Sequence, residues 1–345
     1  MRVTVRAPAR LHFGFIDPDG SSGRIFGSIG LAIEEPSLVL EASPADRLIV
    51  EGDEAGRARA LAQRFLRHYG VRQGAHISVK EMIPAHVGLG SGTQLALGIA
   101  TALARLCSIK AGVRELAAVM GRGARSGIGI ATFDRGGFII DGGQKVGATD
   151  RSSHLDPRPP TIVRHPFPED WTFVVAIPRL GRGLAGQAED RAFRRLAATS
   201  APGAGTVSRT ILMQMLPALL ERDPVAFGRG LTRVQRIVGG WFRPVQGGTF
   251  ANPLGARIAR AMARAGALGV GQSSWGPAVY GMAKDEMQAR KLEEAARTVI
   301  PEKVESAVFQ ARGNNRGAKV SARMRAGDAD VSASPFRLSA SSEAR

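Results

Sequence analysis

One cysteine, Cys107, in 345 residues excludes an internal disulfide. Cys107 closes an apolar helical pattern with no acid–base partner beside it in sequence, which points to a small buried hydrophobe rather than a nucleophile. Long apolar runs are also missing. The longest, Leu95 to Ala104, ends at Arg105, well short of the roughly 20 residues a membrane-spanning helix needs. Met1 to Pro8 lacks the apolar stretch of a secretory signal, so a cytoplasmic protein without a membrane partner is expected.

Acidic residues are in the minority: 30 Asp and Glu against 47 Lys and Arg leave a formal net charge of +17. Such a surplus attracts polyanions. The basic residues nevertheless come in scattered pairs, such as Arg57/Arg59, Arg122/Arg125, Arg179/Arg182 and Arg194/Arg195. No long basic run, zinc-ligand spacing, helix-turn-helix signature or aromatic RNA-binding motif accompanies them, so a nucleic-acid partner is not expected. Small phosphorylated substrates fit the charge better.

What is abundant is glycine, 43 residues, set in a chain that is 44% hydrophobic and long enough for two packed domains or one large two-layer domain. Alternation predicts an opening strand at Val3–Val5, a glycine-dotted loop from Phe13 to Gly30, and strands near 37–42, 48–50 and 75–82. Ala58, Leu61, Ala62, Phe65, Leu66 and Tyr69 fall at helical spacing. Further helices are predicted at 95–106 and 114–120, then a strand at 136–141 and a proline-rich crossing over 149–170. The second half reads as a strand at 172–177, helices near 206–221, 224–238 and 253–266, a strand at 278–282, a helix at 285–298 and a strand at 304–310. This mixture argues for an α+β fold. We divide the chain into residues 1–160, residues 161–312 and a tail, 313–345, whose composition predicts disorder over most of its length.

The most informative segment is Pro84-Ala85-His86-Val87-Gly88-Leu89-Gly90-Ser91-Gly92-Thr93-Gln94. Its glycines let backbone approach an anion, Ser91 and Thr93 supply hydroxyls, and the apolar helix that follows aims its free N–H groups at the same place. A tight strand-to-helix turn is the plainer reading of such a cluster. The spacing is neither that of a Walker loop nor that of a dinucleotide fingerprint.

Pro84-x-x-x-Gly88-Leu89-Gly90-Ser91-Gly92 resembles the central phosphate-binding motif of the GHMP kinase superfamily. Ala7-Pro8-Ala9-Arg10-Leu11-His12-Phe13-Gly14 resembles its amino-terminal motif, and Gly269 to Pro277 its carboxy-terminal glycine-rich motif. The resemblance implies a ribosomal-protein-S5-like amino-terminal domain and a ferredoxin-like carboxy-terminal domain, with the site between them. Many kinases of this superfamily carry a Ser-Gly-x-Asp signature whose aspartate assists the accepting hydroxyl; here Ser126-Gly127-Ile128-Gly129 puts glycine in its place. Glycine offers no base.

Arg10 to Asp17, Gly23 to Leu31, Gly121 to Phe133 and Gly136-Gly137-Phe138 are similar to one branch of that fold, the β-ribofuranosylaminobenzene 5′-phosphate synthase family. The resemblance implies a glycosyltransferase of methanopterin biosynthesis, most often a homodimer, that joins phosphoribosyl pyrophosphate to 4-aminobenzoate and releases pyrophosphate and CO2. An ATP-dependent small-molecule kinase is the alternative. On this reading Gly88, Leu89, Gly90, Ser91, Gly92, Thr93, Gln94, Arg125 and Ser126 would bind phosphate or pyrophosphate. Asp17 and Asp19 would hold Mg²⁺ or offset charge on the ribose, or merely form a turn. Arg10 and Arg24 are candidates for the benzoate carboxylate, and either could bind phosphate instead. His12 would move a proton or make a hydrogen bond at a strand–loop junction.

Overall fold

The computed structural model describes residues 1–147, 158–179, 191–192 and 202–323. Strands β1 (Arg2–Asp17) and β2 (Arg24–Ala45) form one long antiparallel hairpin, with Val3 opposite Ala42 and Asp17 opposite Phe26. Val3, Val5, Ala7, Ala9, Leu11, Phe13 and Phe15 alternate inward and are at most 3% exposed, the period-two signature of a strand buried on one face. The expected loop from Phe13 to Gly30 is therefore mostly strand. Its glycines misled the reading because one of them, Gly14, sits at a register shift after His12 and packs tightly against Val238.

Strand β3 (Ile49–Gly52) runs parallel to β4 (Gly74–Glu81), and α1 (Ala55–His68) makes the crossover, burying Ala58, Leu61, Ala62 and Phe65. Helices α2 (Ser91–Leu106), α3 (Val113–Val119) and α4 (Ile128–Asp134) follow, then β5 (Phe138–Asp141), β6 (Gln144–Lys145) and β7 (Thr161–His165). Helix α2 is apolar on nearly every face because α1, α3, α4 and the sheet surround it.

The second half opens with β8 (Thr172–Pro178). After it come α5 (Ala204–Thr210), a π turn at Ile211–Met215, α6 (Leu216–Leu220), α7 (Pro224–Gln246) and α8 (Pro253–Arg264). Asp223 and Asn252 cap α7 and α8, each followed by a proline at the first helical position. Strands β9 (Gly269–Gln272) and β10 (Val279–Ala283), α9 (Glu286–Thr298), β11 (Ser306–Arg312) and β12 (Lys319–Arg323) complete the described chain. The four strands of this half lie in the order β11-β8-β10-β9, all antiparallel, with α8 and α9 packed together against them. This is the ferredoxin-like arrangement expected.

The larger sheet has eight strands, β12-β1-β2-β4-β3 with β5 and β6 on β2 and β7 on β5. Two boundaries shift as a result. Within the expected crossing, residues 161–165 pair with β5, so the first sheet extends past residue 160; residues 149–157 lie outside the described residues. Residues 313–323, placed in the tail by composition, are ordered: Asn314 bridges Ala32 and Gly137 through its backbone, and β12 pairs with β1. Residues 324–345 lie outside the described residues.

The two halves share one apolar core. Phe13 of β1 meets Phe173 of β8 and Tyr280 of β10, with ring centroids 5.7 and 5.3 Å apart, and Phe138 meets Phe227 at 5.7 Å. Each such burial stabilises by about 1.5–3 kcal/mol, which holds the halves, and any site between them, in one geometry. Among the described residues no helix is long and apolar enough to cross a membrane.

Candidate functional site

The glycine loop joins β4 to α2, and Gly90 stands just before the helix at φ +86°. The N–H groups of Thr93 and Gln94 turn back onto the Gly90 carbonyl at 3.1 and 3.2 Å. Those of Ser91 and Gly92 meet no acceptor among the described residues and point out of the positive end of a 16-residue helix. Gly88 also has positive φ, and a Cβ there would collide with the Ser273 carbonyl, so only glycine lets the loop lie this close to the second half.

Ser273 pins that contact. Its hydroxyl donates to the Gly88 carbonyl at 2.5 Å and accepts from the His12 N–H at 2.9 Å, while Ser274 N–H donates to the His12 carbonyl at 3.2 Å. Arg10, two residues earlier on β1, donates from its guanidinium to the Gly88 carbonyl and from its backbone to the Leu89 carbonyl. The amino-terminal, central and carboxy-terminal motifs thus meet at Gly88. The candidate Arg10 holds the loop from below, and Gly90 packs on its side chain.

His12 is 97% buried by its 3% exposure, with its ring 4.9 Å from that of Phe15. Burial, and then the Arg10 charge, hold its imidazole well below the ordinary range. It is neutral at physiological pH. Such a ring is a weak base that can donate one hydrogen bond and accept another, and its Nδ1 meets no partner among the described residues.

Asp17, Asp19 and Arg24 lie at the far tip of the β1–β2 hairpin. Asp17 Oδ1 accepts from the N–H groups of Asp19 and Gly20, each at 3.3 Å, and Oδ2 accepts from the Ser22 hydroxyl at 2.9 Å. Asp19 Oδ1 accepts from Ser21 N–H at 2.8 Å. These are Asx-turn contacts. Among the described residues no three His, Cys, Asp or Glu side chains gather as a metal site. Asp17 and Asp19 thus serve the hairpin turn with the oxygens that would otherwise face a cation. Arg24 donates to the carbonyls of Gly142 and Gly143 at 2.5 and 2.8 Å, clamping the hairpin to the β5–β6 turn.

That turn contains a carboxylate absent from the sequence reading. Asp141 is fully buried and accepts from Gly127 N–H at 2.8 Å, Gly143 N–H at 3.0 Å and the Ser126 hydroxyl at 3.2 Å. Burial raises its carboxyl to about 6 against the opposing pull of these bonds. Ser126, expected on phosphate, has its hydroxyl turned to Asp141 and accepts from Ile128 N–H at 3.2 Å. Arg125 is half-buried beside it. The signal available for Asp141 was only a strand ending in Asp-Gly-Gly, which reads as an ordinary turn.

Gly129 sits against the glycine loop. The Gln94 amide donates to its carbonyl at 2.9 Å, and a Cβ on Gly129 would stand 3.1–3.3 Å from the Thr93 side chain. The position of the kinase-type aspartate thus faces the first turn of α2. A separate cavity of about 560 Å³ opens between α7, α8 and β9, lined by Gln235, Arg236, Phe250 and Arg260 among others.

Models of the GHMP kinases N terminal domain and of the GHMP kinases C terminal match residues 57–137 and 215–302. The chain is 36% identical over 332 residues to the β-ribofuranosylphenol 5′-phosphate synthase of Methanothermobacter thermautotrophicus, covering 92% of this chain and 98% of that protein. It belongs to the β-ribofuranosylphenol 5′-phosphate synthase family, built on the GHMP kinase fold. The Archaeoglobus fulgidus member is 34% identical, with 92% of this chain and 99% of that protein covered. Among solved structures, a homoserine kinase from Cytophaga hutchinsonii superposes with a TM-score of 0.66 at 20% identity, covering 93% and 97% of the two chains. The chain is thus an enzyme of the synthase type carried on a kinase architecture.

Proposed function

We propose that this synthase joins the ribosyl carbon of phosphoribosyl pyrophosphate to the ring of a para-substituted benzoate, releasing pyrophosphate and CO2. The bond from ribose C1 to the diphosphate oxygen breaks and the leaving group keeps the electron pair. The ring carbon that bears the carboxylate attacks C1, and loss of CO2 returns the electrons of its bond to the ring. Charge and atoms balance without removal of a ring proton. The observation that carries the reading is Gly129 beside the glycine loop: the loop ahead of the helix is kept, while glycine stands where many kinases of the superfamily carry the aspartate that assists an accepting hydroxyl.

In this reaction the loop from Gly88 to Gln94 stabilises charge that grows on the diphosphate as it leaves. Neutral His12 and the clamped Arg10 shape the floor. Mg²⁺ would arrive bound to the donor's diphosphate, which suits an ion that commonly keeps few protein ligands. The relatives' product is named as a phenol, whereas the motif resemblance pointed to 4-aminobenzoate. The two acceptors differ only in the para group, hydroxyl or amino, and either group pushes electrons toward the carbon that is attacked.

The test is to supply purified protein with phosphoribosyl pyrophosphate, Mg²⁺ and carboxyl-labelled 4-hydroxybenzoate or 4-aminobenzoate in parallel, and to measure labelled CO2 and pyrophosphate. Stoichiometric release of both with one acceptor supports the reading and names the acceptor. Consumption of ATP on an alcohol, with no labelled CO2 from either benzoate, overturns it.

A further inference from the structure

Three arginines scattered along the sequence gather at the outer side of the glycine loop. Arg57 lies in the first turn of α1, Arg64 two turns later on the same face, and Arg122 in the turn that follows α3. A terminal nitrogen of Arg122 is 3.6 Å from the point where a Cβ on Gly92 would stand, and Arg57 reaches closer still. Arg64 spans Gly121, with both terminal nitrogens 3.1–3.2 Å from its Cβ position, and is held by an Nε bond to the Val119 carbonyl at 2.5 Å.

Among the described residues their surroundings supply almost no negative charge. Glu54 approaches Arg57 at 3.9 Å from a half-exposed rim position, and among the described residues no carboxylate pairs with Arg64 or Arg122. Arg122 is largely enclosed; burial, then the charges of Arg57 and Arg64, lower its guanidinium from the ordinary value. Its Nε is buried with no acceptor among the described residues. Clustered guanidinium groups repel one another unless an anion lies among them. Desolvated donors without acceptors carry a further penalty. A chain that maintains both costs beside Ser91 and Gly92, whose N–H groups are also unpaired, has left room for a ligand that removes them.

We propose that Arg57, Arg64 and Arg122 form a cationic subsite that takes the donor's diphosphate as it extends from the glycine loop. The assignment rests on the reaction proposed above for the choice of donor. Arg57 and Arg122 grip phosphate oxygens, and Arg64, tethered to Val119, positions Arg122. The subsite also makes the leaving group's departure easier, since the arginines attract it more strongly as its charge grows. A nucleotide triphosphate offers the same oxygens, so ATP is the competing source.

The experiment uses the full-length wild type with the variants Arg57→Ala, Arg122→Ala and Arg122→Lys. Affinity for inorganic pyrophosphate is measured by calorimetry, KM for each substrate by steady-state kinetics, and Tm with and without pyrophosphate. Each alanine variant should lose about ten-fold or more in pyrophosphate affinity and show a KM for phosphoribosyl pyrophosphate raised by about the same factor, with KM for the benzoate unchanged. Arg122→Lys should recover part of the loss. Without ligand, Arg122→Ala should melt no lower than wild type, because a buried, repelled charge has been removed.

Affinities within two-fold of wild type in both alanine variants overturn the subsite, as does an Arg122→Ala protein that melts lower and binds normally. Tighter wild-type binding of ATP than of phosphoribosyl pyrophosphate, lost in the same variants, overturns the donor assignment. Normal variant KM values in a wild type that releases CO2 sink the subsite and leave the proposed reaction standing. Pyrophosphate binding by the wild type that is lost in the alanine variants, in a protein with no turnover, does the reverse.

Discussion

The hydroxyl of Ser273 donates to the carbonyl of Gly88 across the two halves at 2.5 Å, while its oxygen accepts the backbone N–H of His12. One side chain from the second half thereby positions both the glycine loop and the strand beneath it. Replacing it with Ser273→Ala leaves the buried His12 N–H without a partner and the Gly88 carbonyl with Arg10 alone. We expect a loss of about 1–3 kcal/mol in urea unfolding and a fall in kcat larger than any change in Tm would explain. Unchanged unfolding and unchanged kcat would show that the contact is incidental.

Gly129 is the second point at which the loop depends on a neighbour. An aspartate there would restore the kinase-type residue, yet its Cβ would press on Thr93 at 3.1–3.3 Å. Overpacking of this kind costs about 1–3 kcal/mol. Gly129→Asp should therefore unfold earlier, bind pyrophosphate more weakly and acquire no ATP-dependent phosphorylation of small alcohols. A gain of such activity, measured by ADP release, would mean that the base alone separated the two chemistries.

Asp141 makes stability depend on pH in a direction opposite to that of most carboxylates. Its folded-state carboxyl is raised to about 6, mainly by burial, above the ordinary unfolded value of about 3.9. The folded state then binds more protons than the unfolded one between those values, so this group's contribution is full below about pH 4 and is lost as pH rises through about 6. Wild-type unfolding free energy, measured relative to Asp141→Asn, should rise by up to ~3 kcal/mol as pH falls from 7 to 4. A difference that is flat across this range would contradict the assignment.

Arg24 is expected to act through the fold. Its bonds to the Gly142 and Gly143 carbonyls tie the β1–β2 tip to the turn that begins with Asp141. Arg24→Ala should cost about 1–3 kcal/mol of stability, read by denaturant midpoint, and should raise protease sensitivity at the hairpin tip. Full stability with lost turnover would return Arg24 to direct contact with substrate.

Much of this molecule was legible in order along the chain. The period-two run in β1, the helical spacing in α1 and the glycine loop ahead of an apolar helix are local patterns, so residues 75–106 and the helix–strand series of the second half could be placed from sequence alone. The glycine-dotted stretch after Phe13 was misread because glycine in a strand and glycine in a loop look alike until the neighbour that needs the space is known, here Val238 against Gly14. Segment 313–323 was misread because a polar strand is ordered by the partner it pairs with, and that partner is β1, some 300 residues earlier in sequence.

Sequence by itself determined the fold class and placed the glycine loop ahead of an apolar helix, because both follow from patterns within short segments, and its motifs carried the resemblance to the family. Which charged side chains face a ligand and which serve the backbone was decided only by tertiary structure. Asp17, Asp19 and Arg24 resembled catalytic groups and lie on turn amides and carbonyls, while Arg57, Arg64 and Arg122, far apart in sequence, gather around Gly92 and the neighbouring Gly121. The physical reason is that a charge is defined by what surrounds it, and those surroundings are assembled from segments far apart in the chain.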